Sequence, residues 1–310
     1  MPPTPSNSSK PVTSYVVVLD AAQIGVLGDW CEAHGWQFYA PPYAHYGYKS
    51  DGIGLVAYQS GKLSIQGKKT QAFVTEVLEP QITKKFRLGF ERVEHPEWFV
   101  EHAGMDESGK GDLFGPLVVA CVIAGNSAVD YWLKNGLKES KAVNRDAALF
   151  KMEALVRKPK DVVIETAYTS MEKYNELYSK FKNLNELLAW LHARALIKAL
   201  ELRPVNYGLL DQFSKAKLVH KYLTHQQNFK LDQRVRAEED PVVAAASIIA
   251  RAEYVRRLKN LSELSGIDLP KGCGPQAKKA LTLFIEKHGT EALNQYTKLH
   301  FKTVNEVCNS

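Results

Sequence analysis

A chain of 310 residues, 45% hydrophobic and 24% charged, has the composition of a globular protein with material for two domains, which excludes fibrous and wholly disordered classes. Its four cysteines (Cys31, Cys121, Cys273, Cys308) lack C-x-x-C spacing and no apolar run reaches membrane-span length, which points away from zinc, disulfide and membrane classes and toward a reduced, cytoplasmic protein. The net charge of +6 leans toward a polyanionic partner, although solubility alone would also account for it.

Residues 1–11, rich in Pro and Ser, read as a disordered leader; no apolar segment follows to make it a signal peptide. Ser14 to Leu19 reads as a strand. Ala21 to His34 reads as a helix, with Ile24, Leu27, Trp30 and Cys31 at helical spacing and a stop at Gly35. Trp36 to Tyr39, Gly52 to Tyr58 and Leu63 to Gln66 read as strands separated by Gly-Lys turns, and Thr70 to Leu78 as a second helix. This makes a small α+β module over 12–84. Its strand region carries Tyr43, Tyr46, Tyr48 and Tyr58 among Lys49, Lys62, Lys68 and Lys69, a mixture suited to stacking and phosphate contact. A sheet core with a solvated lysine rim would use the same residues. Tyr58 and Lys62 are the candidate substrate contacts, and Glu79 to Pro96 is expected to be a linker region.

The second domain, 85–310, is organised around Gly104-Met-Asp106-Glu107-Ser108-Gly109-Lys110-Gly111-Asp112. An apolar lead-in precedes it, and Pro116 to Ala124 behind it reads as a buried strand, so the acids stand at a strand end. Adjacent carboxylates repel; a hard divalent cation offsets that cost. The glycines allow close backbone approach, and Lys110 offers a charge to phosphate. The same residues match G-x-x-x-x-G-K, but Gly111 replaces the Ser or Thr that a nucleotide loop needs, and a strand follows instead of a helix.

Further on, helices are expected over Val129 to Asn135, Arg145 to Arg157, Asn183 to Glu201 and Gln276 to His288, and strands over Asp161 to Ala167 and Val205 to Asp211. The acidic turn Glu238-Glu239-Asp240 runs into a buried helix from Val242 to Ala250. Three acidic groups therefore recur at element ends: Asp106-Glu107, Asp211 and Glu238 to Asp240. A metal-dependent phosphodiesterase uses such a set. Each acid also has a plain alternative, as a strand-end cap or a helix N-terminal charge. No internal repeat is evident.

Asp106-Glu-Ser-Gly-Lys-Gly-Asp112, Tyr207-Gly-Leu-Leu-Asp211, Ala244-Ala-Ala-Ser-Ile-Ile-Ala-Arg251, Leu269-Pro-Lys-Gly-Cys-Gly274 and Lys298-Leu-His-Phe301 together resemble bacterial ribonuclease HIII, a type 2 ribonuclease H, over nearly the whole chain. Gly54 to Gly67 resembles that family's N-terminal module, which is similar to half of a TATA-binding-protein fold. The sister family, ribonuclease HII, usually has Ala at the position of Ser108 and Arg at that of Lys110, and lacks the module, so the HIII type is favoured. The resemblance implies an α/β fold: a ribonuclease-H-like mixed sheet flanked by helices, preceded by the small module. It implies an endonuclease that hydrolyses the RNA strand of RNA–DNA hybrids with two Mg²⁺ or Mn²⁺ ions, leaving 5′-phosphate and 3′-hydroxyl ends. The implied metal ligands are Asp106, Glu107, Asp211 and Glu238, with Glu239 or Asp240 able to take the place of Glu238 in the match. Ser108, Gly109, Lys110 and Gly111 would contact substrate, the glycines because a Cβ would collide with the sugar. Lys141 is a candidate phosphate contact. A monomer with no membrane association is expected. The rival from another class is a non-catalytic nucleic-acid binder, which would have no use for acids that repel phosphate.

Overall fold

Two five-stranded sheets organise the chain, one in each of the units into which its contacts divide it: Met1–Glu97 with Lys134–Gly136, and Trp98–Leu133 with Leu137–Ser310. The computed structural model describes residues 12–85, 88, 91–137, 140, 143, 145–224, 226 and 228–309.

The first unit holds β1 (Ser14–Val18), α1 (Ala21–Ala33), β2 (Gln37–Tyr39), β3 (Ala44–Ser50), β4 (Ile53–Tyr58) and β5 (Lys62–Gly67). The sheet order is β1-β5-β4-β3-β2, antiparallel throughout. Asp20 starts α1 with a capping box: its carboxylate accepts from the Gln23 N–H while the Gln23 side chain accepts from the Asp20 N–H. Leu55, Ala57, Leu63 and Ile65 alternate inward to the core, leaving Tyr58 and Lys62 on the outer face. A helical turn, α2 (Thr70–Phe73), continues as a widened, π-type helix over Val74–Thr83.

Two expectations change here. The second helix runs past Leu78 to Thr83, so Glu79 does not open a linker. Only 2% exposed, its carboxylate accepts from the Tyr15 hydroxyl at 3.4 Å and from the Leu88 N–H at 2.8 Å. Tyr46 packs, partly buried, against the core, and Tyr48 is a core residue. Their hydroxyls donate to the Ile24 carbonyl at 2.5 Å and to Glu32 at 2.7 Å, whereas Tyr43 is 82% exposed.

Two short helical turns follow, α3 (Glu91–Glu94) and Pro96–Phe99, and the second unit begins at Trp98 within the latter. It comprises β6 (His102–Ser108), β7 (Val118–Ala124), α4 (Asn126–Lys134), α5 (Asp146–Val156), β8 (Val163–Tyr168), α6 (Met171–Phe181), α7 (Leu184–Leu202), β9 (Tyr207–Asp211), β10 (Lys230–Arg234), α8 (Pro241–Ser265), α9 (Pro275–His288) and α10 (Lys302–Cys308). Lys134 at the end of α4 groups with the first unit. The sheet order is β10-β9-β6-β7-β8. β9 runs parallel to β6 and β10, and β7 is antiparallel to β6 and β8. β7 is buried on both faces. Val118, Ala120, Val122 and Ala124 join the core containing α8, and Val119, Cys121 and Ile123 the core containing α7. Cys31 and Cys121 are buried, Cys273 and Cys308 exposed, and all four are free thiols. Among the described residues no helix is long and apolar enough to cross a membrane.

α8 enters the core with Pro241 in its first turn, capped by Asp240, whose Oδ1 accepts from the Val242 and Val243 N–H groups at 2.8 and 3.4 Å. Its onset lies against β6 at Gly104, where an added Cβ would stand 2.5 Å from the Val242 carbonyl carbon and the Val243 nitrogen. Gly104→Ala is therefore expected to cost about 3 kcal/mol or more, or to prevent folding, because neither backbone can give way. Gly25→Ala, in an exposed stretch of α1 with nothing within 4 Å of the new Cβ, is expected to gain roughly 0.5–1 kcal/mol. Thermal melts of the two variants beside the parent check both signs.

Candidate active site

The sheet topology brings the acids together. Met105 pairs with Leu210 across the parallel β6–β9 ladder, so Asp106 and Asp211 follow at the same end of neighbouring strands. Asp106 and Glu107 lie opposite Ala120 and Val119 of β7. The Glu107 N–H donates to Asp106 Oδ1 at 2.7 Å, and the Ala237 N–H donates to Asp211 Oδ1 at 3.1 Å. That second bond ties the short turn Ala237–Glu239, and with it Glu238, to the end of β9. Of the alternatives to Glu238, Asp240 is committed to capping α8 and stands 3.2 Å from His102 Nε2, and Glu239 is exposed.

Asp106 is 8% exposed, and its carboxyl is pushed up from 3.8 to about 8, chiefly by burial and then by the negative charges of Glu107 and Asp211. The Glu107 N–H and the Ser247 hydroxyl, both hydrogen-bonded to it, work against that rise. Ser247 pairs in turn with Ser140 at 2.5 Å, which makes Ser140 an internal brace. Its neighbour Lys141 lies outside the described residues.

Glu107 is held at both oxygens: His192 Nε2 is 3.2 Å from Oε2, and Lys110 Nζ is 3.9 Å from Oε1. Lys110 Nζ also lies 3.5 Å from the Phe213 carbonyl oxygen. Ser108, the last residue of β6, pairs with Val118. The two glycines of the following loop differ. Gly109 has φ +89°, and a Cβ there would meet the Pro116 carbonyl oxygen at 2.3 Å and the Tyr254 ring at 2.9 Å. The protein's own packing already requires that glycine. At Gly111 a Cβ would meet nothing within 4 Å.

Behind the loop stands a brace that sequence reasoning missed. The Asp112 carboxylate accepts from the Gly272 N–H. Tyr254 donates to the Phe114 carbonyl at 3.2 Å. Lys298, fully buried, donates to the carbonyls of Asp112 and Gly115 at 2.7 and 2.5 Å, and burial pulls its ammonium down to about 7. Asp112 and Lys298 fall in motifs visible in the sequence; what was hidden is their meeting, across more than half of the chain. Tyr58 and Lys62 belong to the first unit, where they line a shallow depression with Val16, Tyr43, Gln59, Ser60 and Ser64.

The family model for Ribonuclease HII matches residues 103–304. Ribonuclease HIII of Chlamydia felis is 37% identical over 303 residues, 96% of this chain and 98% of the relative. The chain belongs to the ribonuclease HIII family. It is accordingly a ribonuclease H. Bst-RNase HIII, solved in complex with Mn²⁺, superposes with a TM-score of 0.65 at 26% identity, covering 96% of this chain and 98% of that one. The ribonuclease HII of Archaeoglobus fulgidus, solved with PCNA, covers 96% of its own length but 66% of this chain, at 29% identity and a TM-score of 0.56.

Oxygen-only donors suit a hard divalent cation, and a buried acid raised by its acidic neighbours is the electrostatic situation that a cation relieves; the residues fit such an ion. Among the described residues no three His, Cys, Asp or Glu side chains close on one ion-sized point.

The folded protein keeps a proton on Asp106 between its ordinary pKa of 3.8 and about 8, where the unfolded chain has lost it. Stability should therefore fall as pH rises through that window. Asp106→Asn has nothing to ionise. In EDTA it is expected to melt above the parent near pH 8, by roughly 2–4 °C for each kcal/mol recovered, with the gap closing toward pH 4. Calorimetric scans across that range decide it; a gap independent of pH would show an Asp106 that ionises normally.

Proposed function

We propose that the protein is an endoribonuclease that hydrolyses the RNA strand of RNA–DNA hybrids. In this reading two divalent ions, Mg²⁺ or Mn²⁺, are held by Asp106, Glu107, Asp211 and Glu238, and the products carry 5′-phosphate and 3′-hydroxyl ends. The observation that carries it is the gathering of Asp106, Glu107, Asp211 and the Glu238 turn at the ends of two parallel strands, in a chain of this family. Bound ions would activate water and stabilise the leaving oxygen of an in-line displacement.

The chain's own residues do the rest. Lys110, beside Glu107, offers a charge to a phosphate of the substrate. The open space over Gly111 lets backbone groups approach a ribose 2′-hydroxyl, the group that separates RNA from DNA. A braced loop is what such reading needs, since a donor misplaced by an ångström loses its partner. Residues 12–84, a module likened to half of a TATA-binding-protein fold, would grip the hybrid backbone through the outer sheet face bearing Tyr58 and Lys62, and 85–310 would carry the chemistry. Lys141 remains a candidate phosphate contact. The protein would work as a cytoplasmic monomer.

The test is incubation with a hybrid, duplex DNA and duplex RNA, each with Mg²⁺, Mn²⁺ or EDTA. Only the hybrid should be cut, and only with metal. Asp106→Asn should stay folded and bind hybrid while cutting roughly a thousandfold more slowly, a loss of several kcal/mol of transition-state stabilisation. Gly111→Val should melt like the parent but lose discrimination for the hybrid. Duplex DNA cut as fast as hybrid, or cleavage in EDTA, would overturn the reading.

A further inference from the structure

One fully buried polar side chain beside the acids has no part in the reading above. His192 sits in the apolar face of α7 among Leu187, Leu188, Leu191, Ala195 and Leu196. Its Nε2 lies 3.2 Å from Glu107 Oε2, and its Nδ1 finds no hydrogen-bond partner among the described residues. A carboxylate oxygen only accepts, so Nε2 carries a proton toward Glu107, while Nδ1 is left in the core without a partner. An unsatisfied buried nitrogen is a cost that leucine or phenylalanine would avoid at this position. The ring also stacks on Phe213, centroids 5.3 Å apart and planes 3° from parallel. Phe213 in turn lies under Lys110, whose Nζ is 5.6 Å from the ring centroid.

We propose that His192 is a positioning residue of this active site: its Nε2–H fixes the Glu107 carboxylate for ion binding, and Phe213 keeps that hold in register with Lys110 on the other oxygen. Phe213 lies two residues beyond Asp211, so its ring also ties α7 to the strand end carrying that acid. A glutamate has more rotamers than an aspartate, and an ion ligand needs one of them. His192 and Lys110 each restrain a different oxygen, so together they remove rotation as well as translation of the group. The plain alternative is a ring that fills space against Phe213.

The proposal rests on Glu107 being an ion ligand, so the experiment carries Glu107→Gln in parallel. His192→Phe keeps the ring and the stack without the donor. His192→Gln restores an N–H near the position of Nε2, and His192→Asn is too short to reach. Each is measured for Mn²⁺ affinity by calorimetry without substrate, for kcat and KM on a hybrid, and for melting temperature. His192→Phe should melt at or above the parent, bind Mn²⁺ roughly 10–100-fold more weakly, and lose kcat to a similar degree with KM unchanged. His192→Gln should recover most of both losses, and His192→Asn should not. If His192→Phe fails to fold, the contrast between Gln and Asn carries the test. Parental Mn²⁺ affinity in His192→Phe, or Gln no better than Asn, overturns the proposal. If Glu107→Gln also keeps parental affinity and cleavage, the assignment of the acids falls instead; if Glu107→Gln loses both while His192→Phe keeps them, only the role of His192 falls.

Discussion

The backbone of α8 rests on the backbone of β6 at Gly104, with no side chain between them. Most of the site follows from that contact. It brings Ser247, two turns into α8, within reach of Asp106. It sets the Asp240 cap beside His102 at the start of β6. The turn that leads into the helix then has to pass the end of β9, where Ala237 meets Asp211. A larger residue at 104 would lift the helix and move the Glu238 turn away from the other acids. The chemistry is therefore placed by close packing, which transmits displacement in a way a looser core would not.

What the packing gathers, electrostatics resists. At the sheet end Asp106 is almost wholly buried, and the charges of Glu107 and Asp211 add to what burial already costs it. An ionised carboxylate in such a place costs free energy unless a cation or hydrogen bonds offset it. The fold supplies only part of the offset, through the Glu107 N–H and Ser247 at Asp106 and through His192 and Lys110 at Glu107. The remainder is uncompensated, which is the part the proposed ions would supply. On the neighbouring loop the balance is reversed. Asp112, Tyr254 and Lys298 tie it down with hydrogen bonds, and a lysine is buried to do so. One half of the site is thus left with uncompensated negative charge, and the other is tied down by hydrogen bonds.

Elements with strong local patterns were legible in the sequence. β7 is uniformly apolar, α7 has a leucine face, and the helix after Asp240 is apolar all round, so each stood out. The acids were legible because Asp106-Glu107 beside Gly-Lys-Gly is an unusual local combination. β10 was not: Lys230-Leu-Asp-Gln-Arg234 buries only Leu231, as an edge strand does. β3 hid behind tyrosines, which suit a stacking platform and a sheet core alike; Tyr48 is buried and Tyr46 packs, partly buried, against the core. α6 had its signals, a Ser170 cap and Met171, Tyr174 and Leu177 at helical spacing, and they went unread. His192 could not be singled out, because a histidine on an apolar helix face reads as core and its partner lies 85 residues away. Gly109 and Gly111 look alike in sequence, and only the packing shows that one is needed by the protein and the other faces open space.

The central claim is that the fold crowds a buried carboxylate, Asp106, with acidic neighbours beyond what it can itself compensate. The direct measurement is the titration of the Asp106 carboxyl by carbon NMR, its signal assigned by its loss in Asp106→Asn. Without divalent metal the account expects a midpoint far above the ordinary 3.8, at about 8. With saturating Mg²⁺ the same carboxyl should stay ionised down through the ordinary carboxylate range. A midpoint near the ordinary value in the metal-free protein, unmoved by Mg²⁺, would contradict it.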